Sequence, residues 1–264
     1  MITENLRRNI TYIFKIRKPL VYWKILKMYL RYFLLGDKTP RFFDISVGYN
    51  CNLKCEHCFN KKLDEGEPMP LEDYRRIADD LMKNGAFIFY FQGGEIFTIK
   101  GYERIIEAFR PRENILAVTT NGILANEANL TKLKALGIDI MIFSLDSGDP
   151  AEHDRFRGKE GTFDHVMTAI PLAQKMGFNV AVNTTLHHKN IREDSMLRLF
   201  DRLQGFDIKV NTIFAAPSGN WHQRREYLLT PEDRAYYYDT LRKRYNFLNR
   251  DLENNISKDG CPAG

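Results

Sequence analysis

Tyr49-Asn50-Cys51-Asn52-Leu53-Lys54-Cys55-Glu56-His57-Cys58-Phe59 holds three cysteines in a C-x3-C-x2-C spacing. It directly follows an apolar, strand-like run, residues 42–47. Thiolates are soft ligands that select zinc, copper(I) or iron–sulfur clusters. Structural zinc takes a closed set of four ligands, usually as two separated pairs. Here three cysteines stand close together with no second pair. A cubane cluster held by three cysteines leaves one iron free to bind a small molecule. The alternative at this point is a zinc site completed by His57 or by a distant residue.

Working outward, Gly93-Gly94-Glu95 ends a second strand-like run, 86–92. Thr119-Thr120-Asn121-Gly122 ends a third, 115–118, and Ser144-Leu145-Asp146-Ser147 ends a fourth, 138–143. Further strand-like runs lie at 178–186 and 208–214. Helical patterns fall between them at 71–84, 101–109, 125–136, 163–176 and 192–203. Strict alternation of apolar strands with helices predicts a parallel sheet covered by helices. In such α/β barrels, functional residues gather at the C-terminal ends of the strands. The four motifs occupy such ends, so they should converge in space.

The order and spacing of these motifs resemble the radical S-adenosylmethionine (radical SAM) enzymes over about residues 42–214. The resemblance implies an α/β fold: a partial (βα)6, TIM-like barrel. It implies a [4Fe-4S] cluster on Cys51, Cys55 and Cys58, and S-adenosyl-L-methionine at the open iron. An electron donor such as flavodoxin or ferredoxin would reduce the cluster. Reductive cleavage would then yield a 5′-deoxyadenosyl radical that abstracts a hydrogen atom from substrate.

By the same resemblance, Gly93, Gly94 and Glu95 bind the methionine amino group. Glycine also lets backbone approach a ligand closely, and Glu95 offers an anionic acceptor for an ammonium group. The family pattern ends in proline, where this chain has Ile96. Ser144 sits where the family meets the cofactor's carboxylate or ribose. Asp146 either supports that loop or touches ribose. His57 stands where an aromatic residue often lies beside adenine. Arg157 is expected either to neutralise a carboxylate of cofactor or substrate or to form a surface salt bridge, and Asn183 to contact cofactor. Thr120 and Asn121 are either near the site or in a plain turn. His187, His188 and His222 read as loop residues without metal. No residue is assigned to the catalytic step itself.

The stretch 153–163 is similar to members of the family that carry a SPASM or twitch domain. Gly260-Cys261-Pro262-Ala263-Gly264 resembles the opening of such a domain, with Cys261 as first ligand of an auxiliary Fe–S cluster. The expected organisation is a basic helical extension at 1–41 and a core barrel at 42–216. A C-terminal helix and the beginning of a SPASM-like domain follow at 217–264. Thr230 and Pro231 mark the start of that helix, expected to run to about Asn249.

The chain has 264 residues, 44% of them hydrophobic, and a net charge of +5. Residues 1–41 hold ten Lys/Arg against Glu4 and Asp37, so the basicity belongs to the N-terminal segment. Nothing in the rest suggests nucleic-acid binding. Four cysteines, three in one motif, argue against a disulfide scaffold, and a reducing cytoplasm fits. Lys24, Lys27 and Arg31 break the N-terminal apolar stretch, which does not read as a signal peptide. A helix over 20–35 gathers these three on one side. It either lies in an anionic membrane interface, a peripheral contact through 1–36, or packs on the barrel or on a partner with its lysines in water. Maturation of a precursor peptide is the expected activity. A lipid-linked substrate and a non-catalytic metal-binding module are the alternatives.

Overall fold

The computed structural model describes residues 16–60, 69–245 and 248. Six strands form one sheet in the order β1 to β6, each parallel to its neighbours. They are β1 (Phe42–Ser46), β2 (Ile88–Gln92), β3 (Ile115–Thr120), β4 (Ile140–Ser144), β5 (Asn179–Leu186) and β6 (Lys209–Phe214). Central strands of a parallel sheet are covered on both faces and show little alternation, whereas β2 and β6 here alternate in burial. Leu116, Met141, Phe143 and Val182 are fully buried on this account. With β1 and β6 at its edges, the sheet curls into a half-barrel with helices outside.

α1 (Pro19–Leu35) precedes the sheet. Pro19 sits in its first turn, and Gly36 ends it in the left-handed region at φ 64, as helix ends favour. α2 (Leu71–Lys83), α3 (Tyr102–Ala108) and α4 (Glu127–Leu136) cross between the first four strands. α5 (Pro150–Arg157) and α6 (Thr162–Lys175) link β4 to β5, and α7 (Asp194–Leu203) links β5 to β6. Every helix expected around the barrel is present. α5 was not expected, yet its signals are ordinary. Asp149 accepts from the Glu152 N–H at 3.0 Å as N-cap, Pro150 opens the helix and Gly158 closes it.

α8 (Pro231–Tyr236) starts in a capping box made by Thr230 and Asp233. The long C-terminal helix expected beyond it is cut short. The helix widens into a π-turn at Tyr237–Leu241, resumes for Arg242–Arg244, and leaves helical geometry at Tyr245 (φ −115°, ψ 90°). Tertiary contacts override local propensity here: Tyr245 donates to Asp201 at 2.8 Å, and Leu248 bridges to Val210 of β6. Asn249 and Cys261 lie outside the described residues.

α1 packs on the barrel, as one of its two readings expected, but not with all its lysines in water. Val21, Ile25 and Met28 meet Phe87 and Ile115 at the N-terminal ends of β2 and β3. Lys24 Nζ donates to the Glu113 carbonyl at 2.9 Å and to Asn114 Oδ1 at 2.7 Å. Just before α1, Lys18 Nζ reaches the carbonyls of Asn114 and Gly137 and Asp139 Oδ2. These strand starts expose carbonyls with no helical partner, and a lysine satisfies them.

A cavity at the carboxyl ends of the strands

The cysteine segment leaves β1 and crosses the mouth of the half-barrel. Cys51, Cys55 and Cys58 are unpaired thiols, and all three line one cavity of about 260 Å³. His57, Gly93, Gly94, Ser144, Arg157, Asn183, Thr120 and Asn121 line it too. Residues 51 to 183 thus meet in one place, brought together by the parallel strand ends.

The thiol loop is held from three sides. The Cys58 N–H turns back to the Cys55 carbonyl at 3.3 Å. The Glu56 N–H donates to the Phe156 carbonyl of α5 at 2.9 Å. After β6, the Asn220 N–H donates to the Cys58 carbonyl, and its side-chain amide donates to the Cys55 carbonyl, both at 3.0 Å. Gly219 makes this approach feasible, since a Cβ there would lie 2.2 Å from the Phe59 Cα. Asn60, next after Phe59, donates to the Gly93 carbonyl at 2.5 Å. Asn52 accepts from the Asn121 side chain at 2.7 Å. The sequence reading assigned Asn52, Asn60, Asn220 and Trp221 no role. An isolated Asn in a loop carries no signal until its partner is known.

Gly93 and Gly94 line the cavity and also serve the packing of the loops. A Cβ on Gly94 would meet the Asn50 carbonyl oxygen at 1.9 Å, and one on Gly93 would meet the Gly48 oxygen at 2.4 Å. Their bare backbone admits the β1 exit loop, not only a ligand. The Gly94 and Glu95 N–H groups donate to the Gly48 and Asn50 carbonyls at 2.8 Å. An ammonium group needs acceptors, so these engaged donors do not compete with it.

Glu95 is engaged within the fold. Its side chain is 0% exposed and does not line the cavity. One oxygen accepts from the Thr120 hydroxyl and the other from the Asn121 N–H, each at 2.8 Å. The carboxylate therefore ties the β2 exit to the β3 exit. Burial pushes its pKa up to about 7, against these two donors. Ile96, in place of the family's proline, is buried in the core and opens a short turn, Ile96–Thr98.

Asp146 takes the loop-supporting role of its two readings. Its Oδ1 accepts from the Thr185 N–H at 2.8 Å, and its Oδ2 from Arg157 Nε at 2.7 Å. The carboxylate that Arg157 neutralises is therefore a protein one in a buried pair, where a cofactor or substrate carboxylate or a surface salt bridge was expected. Burial alone would raise the Asp146 pKa, but Arg157, the neighbouring His57 and His153 rings and the Thr185 N–H together outweigh it and hold it at about 2. Arg157 Nη1 also lies 3.8 Å from the Cys55 Sγ. Burial pushes the Cys55 thiol up, and Arg157 opposes that. Asn183 accepts from Asn211 on β6 at 2.9 Å.

An aromatic wall closes one side. The His57 ring stacks on Phe156 at 4.5 Å, and Trp221 stacks on Tyr227 at 4.3 Å. His187 belongs to this wall, 5.3 Å from Trp221, and is buried rather than an ordinary loop residue. Burial, reinforced by Arg157, lowers the His57 pKa to about 4, so its ring is neutral at pH 7. His57 Nδ1 and Trp221 Nε1 are buried without a hydrogen-bond partner.

The donor set fits an iron–sulfur cluster with S-adenosylmethionine. Three soft thiols share the cavity, and two orphaned ring nitrogens stand in its wall, where a heteroaromatic group can pair with them. Among the described residues, no three His, Cys, Asp or Glu side chains converge as around a single metal ion.

The profile of the Radical SAM superfamily matches residues 45–203. The antilisterial bacteriocin subtilosin biosynthesis protein AlbA of Bacillus subtilis (strain 168) is 33% identical over 156 residues, 58% of this chain and 35% of that protein. A probable GTP 3',8-cyclase of Methanocella arvoryzae is 32% identical over 162 residues, 61% of this chain and 52% of that one. The chain thus spans about half or less of these relatives' length. Streptococcus suis SuiB bound to precursor peptide SuiA superposes with a TM-score of 0.64 at 17% identity, covering 78% of this chain and 47% of that one. This shows the shared fold.

Proposed function

We propose that this chain, an enzyme that belongs to the radical SAM superfamily, modifies a ribosomally made peptide or protein. The cluster and S-adenosylmethionine, when bound, would supply the chemistry of radical hydrogen-atom abstraction. Cys51, Cys55 and Cys58 would hold the cluster. Gly93, Ser144, Asn183, His57 and Trp221 would line the S-adenosylmethionine site. The electron comes from a small redox protein of the flavodoxin or ferredoxin kind.

The charge of the cavity carries the choice of substrate. Arg157 is the sole cationic side chain among its described lining residues, and Asp146 already neutralises it. A nucleoside triphosphate calls for cations or a metal to meet its phosphates. The described wall offers none unpaired. Instead, Tyr49, Phe59 and Ile213 are exposed at the cavity. Apolar and aromatic edges of this kind suit peptide side chains. The relative named for bacteriocin biosynthesis agrees with this reading. α1 lies at the opposite ends of the strands, so contact there would not deliver a lipid to the thiols.

The test is anaerobic reconstitution followed by three parallel assays, with GTP, with an iron porphyrin, and with the short peptides encoded beside the gene. Faster 5′-deoxyadenosine release with a peptide, plus a change in that peptide's mass, is the expected result. Release driven by GTP or porphyrin and not by peptide overturns the substrate reading. Stoichiometric zinc without iron uptake overturns the cluster reading.

A further inference from the structure

We propose that the outer face of α1, with the basic recess beside it, binds the anionic surface of a lipid bilayer. α1 uses only a narrow stripe to pack on the barrel. Its opposite stripe, Trp23, Leu26, Leu30 and Phe33, recurs at spacings of three and four, which sets these residues on one helical face. All are exposed, Trp23 to 60% and Phe33 to 75%, and Leu34 beside them to 75%. A contiguous apolar face of this size marks a surface that meets something. Trp23, Tyr29 and Tyr32 add amphipathic rings, which favour the headgroup level of a bilayer.

The charge next to this stripe selects the occupant. Between α1 and the end of α2 lies a recess of about 410 Å³ lined by Lys24, Lys27, Arg31, Arg41 and Lys83. Asp37, which pairs with Arg31 and Arg41, offsets part of this charge. Lys24 is held by the Glu113 carbonyl and Asn114, and the nearby Glu113 carboxylate offsets part of its charge. Lys27 and Lys83 are exposed. The surface therefore joins a broad apolar stripe to an excess of positive charge. A bilayer with anionic headgroups presents both complements side by side.

The placement is compatible with turnover. α1 sits at the N-terminal strand ends, and the thiol cavity opens at the C-terminal ends. A docked molecule would turn its cavity away from the lipid, toward soluble substrate and electron donor. No helix among the described residues is long and apolar enough to cross a membrane, so this contact is peripheral. The proposal does not rest on the substrate reading, because it needs neither cluster nor peptide.

The experiment is co-sedimentation of the whole chain with vesicles of phosphatidylcholine alone, or with added phosphatidylglycerol, at low and high salt. Binding should require phosphatidylglycerol and fall with salt. Lys27→Gln and Lys83→Gln should each weaken it about fivefold, and Trp23→Ser should weaken it further. All three variants should keep wild-type circular dichroism and iron uptake, which separates lost docking from lost folding. No binding at low salt, or equal binding to both vesicle types, overturns the proposal. So does a dimer in light scattering that Leu30→Glu splits while vesicles stay unbound, which assigns the face to a second copy.

Discussion

Asn220 reaches across 165 positions of sequence to donate its side-chain amide to the Cys55 carbonyl at 3.0 Å. It thereby fastens the exit of the last strand to the loop that carries the thiols. Asn220→Ala deletes the donor and leaves the carbonyl without it, at a cost of about 1 kcal/mol. Asn220→Asp sets a carboxylate against that carbonyl and should be worse. The half-life of the visible cluster absorbance in air should fall in the order wild type, Ala, Asp. Equal half-lives would show that the clamp is irrelevant to the loop.

Asp146 and Arg157 form a buried ion pair, and breaking one side strands the other charge. Asp146→Asn should destabilise the metal-free chain by about 3–5 kcal/mol. Asp146→Leu combined with Arg157→Met should recover most of that loss, because no buried charge remains. Urea unfolding of the three proteins decides it. A double variant as unstable as Asp146→Asn would mean that other contacts of these residues dominate.

Gly94 and Gly101 should respond differently to the same substitution. A Cβ at Gly94 meets the Asn50 oxygen at 1.9 Å, whereas Gly101 has open space and only a positive φ of 75. Gly101→Ala should cost about 1–2 kcal/mol of backbone strain. Gly94→Ala should reach or pass the upper end of the roughly 1–3 kcal/mol that overpacking costs, and should also lose iron. Matching unfolding midpoints for the two variants would contradict the packing seen between the β1 and β2 exits.

Glu95 makes stability depend on pH. Its carboxyl is pushed from 4.5 up to about 7, chiefly by burial. The folded state holds this proton more tightly than the unfolded one. Its contribution is thus fully present below pH 4.5 and lost as pH rises through 7. Glu95→Gln keeps an acceptor for the Asn121 N–H and has no proton to lose. Between pH 4.5 and 7.5 the metal-free wild type should lose ground to this variant, by on the order of 3 kcal/mol. A difference that stays flat over that range refutes the shift.

Much of the barrel could be read from one chain because its signals are local. Apolar runs of four to nine residues between amphipathic stretches leave little choice but parallel strands under helices. The three thiols and the Gly93-Gly94 turn were visible as contiguous motifs at strand ends. Residues 150–157 show how weak signals are missed: Asp149 and Pro150 mark a helix start, but the stretch drew attention as a motif instead.

The sequence by itself determined which strands form, their parallel order and which segment carries the thiols, because periodicity and motif spacing act over short distances. The tertiary structure alone decided the partners of the polar side chains. Glu95 turned to Thr120 and Asn121, Arg157 to Asp146, Lys24 to the strand starts, and Asn220 to the thiol loop. A buried charge or amide must find a partner within hydrogen-bond distance. Only the curvature of the sheet determines which residue, far away in sequence, arrives there.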